Sequence, residues 1–259
     1  MMIALIIPFY NAEPYLKRCL DSIAGPFEVI MIDDGSTDGG ADLVDNYDNQ
    51  GYMIYLIKLG ERRGVSCARN TGIEKALELE ADYITFLDVD DFMLPDAYDQ
   101  LVTAIKEEPR EKMIQLNHRR RQANGYDYIK FYNKQGTYSL EKLPDFWVGV
   151  WNKVYKASLL EDIRFIPGLD HGEDELFNLE CLSKARRIYC SDRIHMVHCF
   201  DNPQSLSKTV TPKDLIAEQH ALNNFMLRHK EDIELLEAVR QRQAYLWDNK
   251  VYKSTFGGK

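Results

Sequence analysis

The stretch Tyr83 to Pro95, YITFLDVDDFMLP, decides the fold. An apolar run of strand-forming residues stops at three carboxylates in four positions, Asp88, Asp90 and Asp91. Close carboxylates repel one another and resist ionisation, so a buried strand ending in such a cluster is costly unless positive charge sits there. A divalent cation held through hard oxygens removes that cost, and a phosphate-bearing substrate on the same cation makes the cluster an active site.

Working outward, the same pattern of apolar run and polar loop recurs. Residues 3–9 (IALIIPF), 28–33 (EVIMID) and 52–59 (YMIYLIKL) are continuous enough in apolar character to be strands buried on both faces of a parallel sheet. Between them, Tyr15, Leu16, Cys19, Leu20 and Ile23 recur at helical spacing behind an expected Asn11 N-cap, and 39–47 suits a short helix. A helix after Gly64, capped by Ser66, would carry Ala68, Gly72, Ile73 and Ala76 on its packed side, small enough to lie close on the sheet. A further helix spans 95–106. Three βα units in the first 110 residues predict an α/β fold with a doubly wound, mostly parallel sheet, whose ligands sit beyond the carboxyl ends of the strands.

After Pro109 the pattern loosens. Strands are expected at 112–117, 128–132, 150–155 and 194–199, with the basic stretch HRRRQANG (118–125) as a turn and an acid-led helix over 173–184. Thr211 and Pro212 then open a helical tail with a break near Lys230. The expected organisation is residues 1–210 as one domain, with 1–110 as its donor half and 111–210 as its acceptor half, and 211–259 as a helical extension.

Composition narrows the function classes. With 45% hydrophobic and 28% charged residues the chain is an ordinary globular protein, and a net charge of −9 argues against a broad nucleic-acid footprint. The opening MMIALIIPFY has no basic flank and no small-residue cleavage site, so it reads as a first strand rather than a signal peptide. Five widely spaced cysteines without C-x-x-C suit reduced thiols. The expectation is a cytoplasmic protein, peripheral to a membrane at most. No G-x-G-x-x-G follows the first strand, which removes the usual dinucleotide fingerprint.

The segments IIPFYNAEPYLKRCLDSI, EVIMIDDGSTDG, GVSCARNTGI, FLDVDDFMLP, VWNKVYKASLL and HGEDELFNLE occur in this order. Together they resemble a family 2 glycosyltransferase of the GT-A fold, over roughly residues 1 to 210. The resemblance implies a metal-dependent, inverting transfer of sugar from a nucleoside diphosphate donor, UDP-linked by preference, to a hydroxyl of a glycan or lipid-linked acceptor. It places donor binding on Pro8, Tyr10, Asp33, Asp34, Arg69, Asp88 and Val89. Asp33 would accept the imide N–H of a base, and Arg69 would face the pyrophosphate from the start of its helix. Asp90 is the expected ligand of Mn²⁺ or Mg²⁺. Asp174 is the expected base that takes the acceptor proton, with Glu173 as the fallback, and Trp151 and Asn152 are expected on the acceptor side.

On an extended segment Asp88 and Asp90 would face one side together. Asp91 stays open between capping the next turn and touching the metal. His195 and His198 fall on opposite faces of a strand, so at most one joins the cation; His198 is the choice, with a structural histidine as the alternative. The loop 201–208, with Lys208, is expected to close over the diphosphate. Arg119, Arg120 and Arg121 are read as a solvated loop or as a contact for a phosphate-bearing acceptor. Two other functions share the donor half: a transferase acting on hydroxymethylated DNA, and a binding module without turnover. The tail could also serve as a homodimer contact.

Overall fold

Alternation along the central strands builds two apolar layers at once. In β1 (Ile3–Phe9), Ile3, Leu5, Ile7 and Phe9 point into one layer and Ala4 and Ile6 into the other. β2 (Phe27–Asp33) repeats this with Val29 and Met31 against Ile30 and Ile32. Helices α1 (Glu13–Asp21) and α4 (Ala97–Glu107) cover the first layer, and α3 (Val65–Glu78) and α5 (Glu173–Ala185) the second. The computed structural model describes residues 1–48, 51–122, 124–130, 134–140, 148–203 and 210–248.

The other described elements are α2 (Gly40–Asp45), β3 (Met53–Lys58), β4 (Tyr83–Phe86), β5 (Phe92–Met93), β6 (Met113–Arg121), β7 (Asp127–Lys130), β8 (Gly136–Ser139), β9 (Lys153–Lys156), β10 (Arg187–Cys199), α6 (Pro212–Arg228) and α7 (Ile233–Asp248). The sheet runs β3-β2-β1-β4-β9-β6-β10-β5, with β7 beside β6 and β8 beside β10. The first four strands are parallel, and β9 enters antiparallel between β4 and β6. Register aligns Phe9 with Asp33 and Asp33 with Lys58, so the loops leaving β1, β2, β3 and β4 open on one edge. This is the expected α/β, mostly parallel GT-A-like architecture with its helical extension.

Gly72 explains how closely α3 lies on the sheet: a Cβ there would stand 2.4 Å from Ile6 Cγ2. Two expected caps are corrected. Asn11 is not an N-cap; it sits at φ 45° and its Oδ1 accepts from Thr37 N, while α1 starts at Glu13. Ser66 lies inside α3, where its hydroxyl donates to Leu169 O, and Gly64 precedes the helix at φ 90°.

The basic stretch is also corrected. Residues 119–121 continue β6 instead of turning, because β7 pairs with them in antiparallel register and Asp127 grips Arg121 through two bonds of 2.8 and 2.7 Å. Strands β5 and β8, not expected from the sequence, complete the second half of the sheet.

Thr211 and Asp214 form a reciprocal capping box at the start of α6. α6 and α7 share an apolar cluster with α5 through Leu222, Phe225, Leu235 and Val239. Ion pairs border that contact: His171–Glu218, Arg186 with Asp232 and Glu234, and Arg242–Glu175. Among the described residues no helix is long and apolar enough to cross a membrane.

Candidate active site

Three carboxylates, one from the loop after β4 and two from the first turn of α5, converge on Arg69, which is 3% exposed. Its Nη1 donates to Asp174 at 2.7 Å and Glu173 at 3.1 Å, and its Nη2 to Asp88 at 3.0 Å. The guanidinium also lies over Phe165 at 5.3 Å. Burial opposes its charge, but Asp174, Asp88 and Glu173 outweigh that and hold it above its ordinary pKa. One arginine on α3 therefore ties the loop after β4 to the first turn of α5. The sequence reading directs Arg69 at a pyrophosphate; the structure places it at the centre of three carboxylates.

Two of these acids, Glu173 and Asp174, are held above the ordinary carboxyl range. Burial, then the neighbouring Asp174, pushes Glu173 up to about 7 against the pull of Arg69. Asp174 is also raised, by burial first, with Arg69 opposing. Asp174 uses both oxygens, Oδ1 on Arg69 and Oδ2 on the backbone N–H of Val150 at 3.3 Å, and Glu173 meets Arg69 through Oε1.

The D-x-D is not extended, contrary to the sequence expectation. The chain turns as β4 ends, and Asp91 N donates to Asp88 O at 2.9 Å. The turn, not strand alternation, distributes the acids. Asp88 goes to Arg69, and Asp90 goes to a second network: Asn202 Nδ2 donates to Asp90 Oδ2 at 2.8 Å and Arg18 donates to the Asp90 carbonyl. Arg18 also pairs with Asp201 at 2.7 Å, and Tyr15 donates to Asn202 Oδ1 at 3.3 Å. Burial, then Asp88, raises the Asp90 carboxyl above its usual range. Val89 lies in the same turn, half-buried.

Asp91 receives a definite place. Wholly buried, it accepts from His198 Nδ1 at 2.9 Å and from Cys199 N at 2.7 Å. Burial, partly countered by His198, pushes it up to about 7. Its bond fixes the His198 ring with Nε2 turned away from it, and Trp151 stacks on that ring at 4.6 Å and 14°. The two histidines have different surroundings, with a register shift in β10 between Ile194 and Val197: His195 is buried with Nε2 near Trp151 O at 3.2 Å, and burial pushes it down to about 4.

On the donor side, Asp34 Oδ1 and Oδ2 accept from the backbone N–H groups of Arg63 and Gly64 at 2.7 and 2.9 Å. Asp34 thus pins the loop after β3, while Asp33 accepts only from Ser36 N at 2.8 Å among the described residues. Pro8 is buried in β1, and Tyr10 just beyond it is 37% exposed with Arg62 4.4 Å over its ring. Asn152, expected to line the acceptor side, is wholly buried; it donates to Leu116 O at 3.1 Å and accepts from Lys153 at 2.9 Å, so it holds strands together behind Trp151. Residues 204–209, including Lys208, lie outside the described residues.

Among the described residues no group of three or more His, Cys, Asp and Glu could hold a metal by itself. Asp90 and His198 are of the two ligand types, hard oxygen and imidazole, that could serve a divalent cation. From the sequence Tyr15 reads only as a packed residue of the first helix, Asp201 and Asn202 only as the start of the 201–208 loop, and Arg18 has no assigned role.

The sheet order and the placement of the acids at its open edge define a GT-A-like fold. Over its full length the chain superposes on Staphylococcus aureus TarS, solved in complex with UDP, with a TM-score of 0.76 and 22% identity, covering 76% of that chain. Residues 4–168 match the model of glycosyl transferase family 2, and the chain belongs to that family. Glycosyltransferase GlyA of Streptococcus pneumoniae is 30% identical over 82% of this chain, which spans 32% of GlyA. A glycosyltransferase of Haemophilus influenzae is 30% identical over 72% of this chain and 74% of its own length.

Proposed function

We propose that the chain transfers a sugar, with inversion, from a UDP-linked or related nucleoside diphosphate donor to a hydroxyl of a glycan or lipid-linked acceptor. The observation that carries this reading is the Arg69 clamp, because it joins a donor-side acid, Asp88, to the acid pair Glu173 and Asp174 through one buried cation. The open oxygen of Asp33 suits the N–H of a base edge. Asp88, held in place by Arg69, would then meet the ribose that leaves that base.

Asp90 and His198 would hold Mn²⁺ or Mg²⁺, which when bound offsets the charge that develops on the leaving diphosphate. Asp91 keeps the His198 ring in the orientation that leaves Nε2 available, as a carboxylate behind a ligating histidine does. Asp174 takes the proton of the attacking hydroxyl. Its bond to Val150 N, next to Trp151, supports a position facing the acceptor.

The test is a panel of nucleotide sugars, with and without Mn²⁺, scored by released nucleoside diphosphate. Turnover of one donor, dependent on the cation and abolished in Asp90→Ala, is expected. If no donor turns over while wild type and Asp90→Ala bind UDP equally, the reading fails and a binding module takes its place.

A further inference from the structure

Lys153, on β9, is wholly buried, and burial pushes its ammonium down to about 7. A buried cation is a cost to the fold unless its contacts make use of it. The sheet needs only the backbone of this residue, which lies opposite Gln115 of β6.

The side-chain contacts lead to Asp174. Lys153 Nζ donates to Gly149 O at 2.5 Å and to Asn152 Oδ1 at 2.9 Å. The next residue after Gly149 is Val150, whose N–H donates to Asp174 Oδ2 and whose carbonyl accepts from Lys153 N at 3.1 Å, closing a turn over 150–153. One helical turn beyond Asp174, the wholly buried Asn178 donates to Val148 O at 2.5 Å and accepts from the Tyr155 hydroxyl at 2.7 Å. Val148, Gly149 and Val150 are thus gripped in succession by Asn178, Lys153 and Asp174. Of these three grips, only that of Lys153 brings positive charge.

We propose that Lys153 is a positioning residue for the acid that takes the acceptor proton: it holds the peptide between Gly149 and Val150 where the Val150 N–H meets Asp174, and its charge favours the carboxylate. What Asp174 does rests on the transferase reading above; how it is held rests on these contacts alone. Two buried cations then serve Asp174, Arg69 by direct contact and Lys153 through one peptide. The attraction is mutual, since Asp174 favours the charge on Lys153 and Lys153 favours the ionised form of Asp174. The other groups that bear on the ammonium are Cys181 of α5, Cys190 of β10, Arg242 of α7 and His118 of β6. Burial keeps Cys181 and His118 neutral, and Arg242 pairs with Glu175. Asp174 is faced also by Asp88 and Glu173, which share Arg69 with it.

The experiment measures kcat and donor KM against pH for the full chain, with Mn²⁺ and the nucleotide sugar that the panel above identifies, in wild type, Lys153→Met, Asp174→Asn and the double variant. Lys153→Met keeps the apolar stem and should leave the donor KM within about twofold, because no donor-side group is touched. It should lower kcat about tenfold, a part of what a well-placed base contributes. The rise of kcat with pH should move up by about one unit, since a carboxylate has lost a neighbouring cation. In the Asp174→Asn background the same substitution should cost little, there being no base left to place. Lys153→Gln, measured in parallel, keeps a donor without the charge; it should show the same pH shift with a smaller loss of kcat, and it carries the test if the methionine variant does not fold. The proposal is overturned if the rise stays at its wild-type pH, if the losses from Lys153→Met and Asp174→Asn multiply, or if KM rises in place of a fall in kcat. A wild type that releases no nucleotide from any donor sinks the transferase reading alone. Titration of the Asp174 carboxyl by carbon-13 NMR, assigned through Asp174→Asn, then decides: it moves up by about one unit in Lys153→Met if Lys153 holds Asp174, and stays where it was if the proposal is wrong.

Discussion

Arg69 Nη1 lies 2.7 Å from Asp174 Oδ1, with the arginine side chain 4% and the aspartate 18% exposed. A cation this buried is held by its acids, and the acids are held by it. Arg69→Met should leave Asp88, Glu173 and Asp174 mutually repelling around an apolar stem. Breaking a buried pair from one side costs about 3–5 kcal/mol. The expected result is a fall of that order in the free energy of urea unfolding, together with loss of turnover. Arg69→Lys keeps the charge but cannot span Asp88 and the Glu173–Asp174 pair with one planar group, so it should restore stability in part and activity very little.

The acid pair gives a pH signature. Glu173 is raised from 4.5 to about 7 by burial, then by Asp174, so folding favours its protonated form. Its contribution to stability is therefore complete below about pH 4.5 and is lost as pH rises through about 7. Glu173→Gln never ionises, and its stability curve should stay flatter across that window, measured by urea midpoints. Turnover should rise toward a plateau above about pH 7, where Glu173 is ionised. If Asp174 is the base, Glu173→Gln retains a plateau and Asp174→Asn does not.

Asp91 and His198 are 107 residues apart in sequence, and Asn202 and Asp90 are 112 apart. That distance explains what could be read from the chain and what could not. β1, β2 and β4 were legible because burial on both faces demands continuous apolar runs, and α5 because acids gather at its start; β3 has the same apolar run but lies at the sheet edge, where none of its residues is buried. β5 has two residues and β8 four, too short for any period to register. The end of β6 was misread because three arginines look solvated until Asp127 and Phe200 are seen to take two of them. Asp91 could not be assigned for the same reason: its partner comes from the last strand.

Asp91→Asn tests that partnership. The amide still fills the space, but the charge behind His198 is gone. A lost carboxylate behind a ligating histidine costs about 10–100-fold in metal affinity. The Mn²⁺ concentration for half-maximal turnover should rise by that factor, with UDP binding in the absence of metal unchanged. Asn202→Ala should raise it less, several-fold, since Asp90 loses one hydrogen bond and keeps its charge.

The helical extension offers the last test. Phe225 on α6 is wholly buried in the cluster that contains Leu179 and Leu182 of α5, the helix whose first turn carries Glu173 and Asp174. Phe225→Ala leaves a cavity worth about 3–5 kcal/mol. Because α6 shares this core with α5, the loss should fall on the site as well as on the tail. UDP binding, followed against urea, should disappear at a midpoint lowered in step with the loss of helix. Had the extension been an independent appendage, the helix signal would move and the UDP-binding midpoint would stay where it was. The ion pairs at the border, His171–Glu218 and Arg242–Glu175, lie within two residues of the acid pair, so the cavity is felt there first.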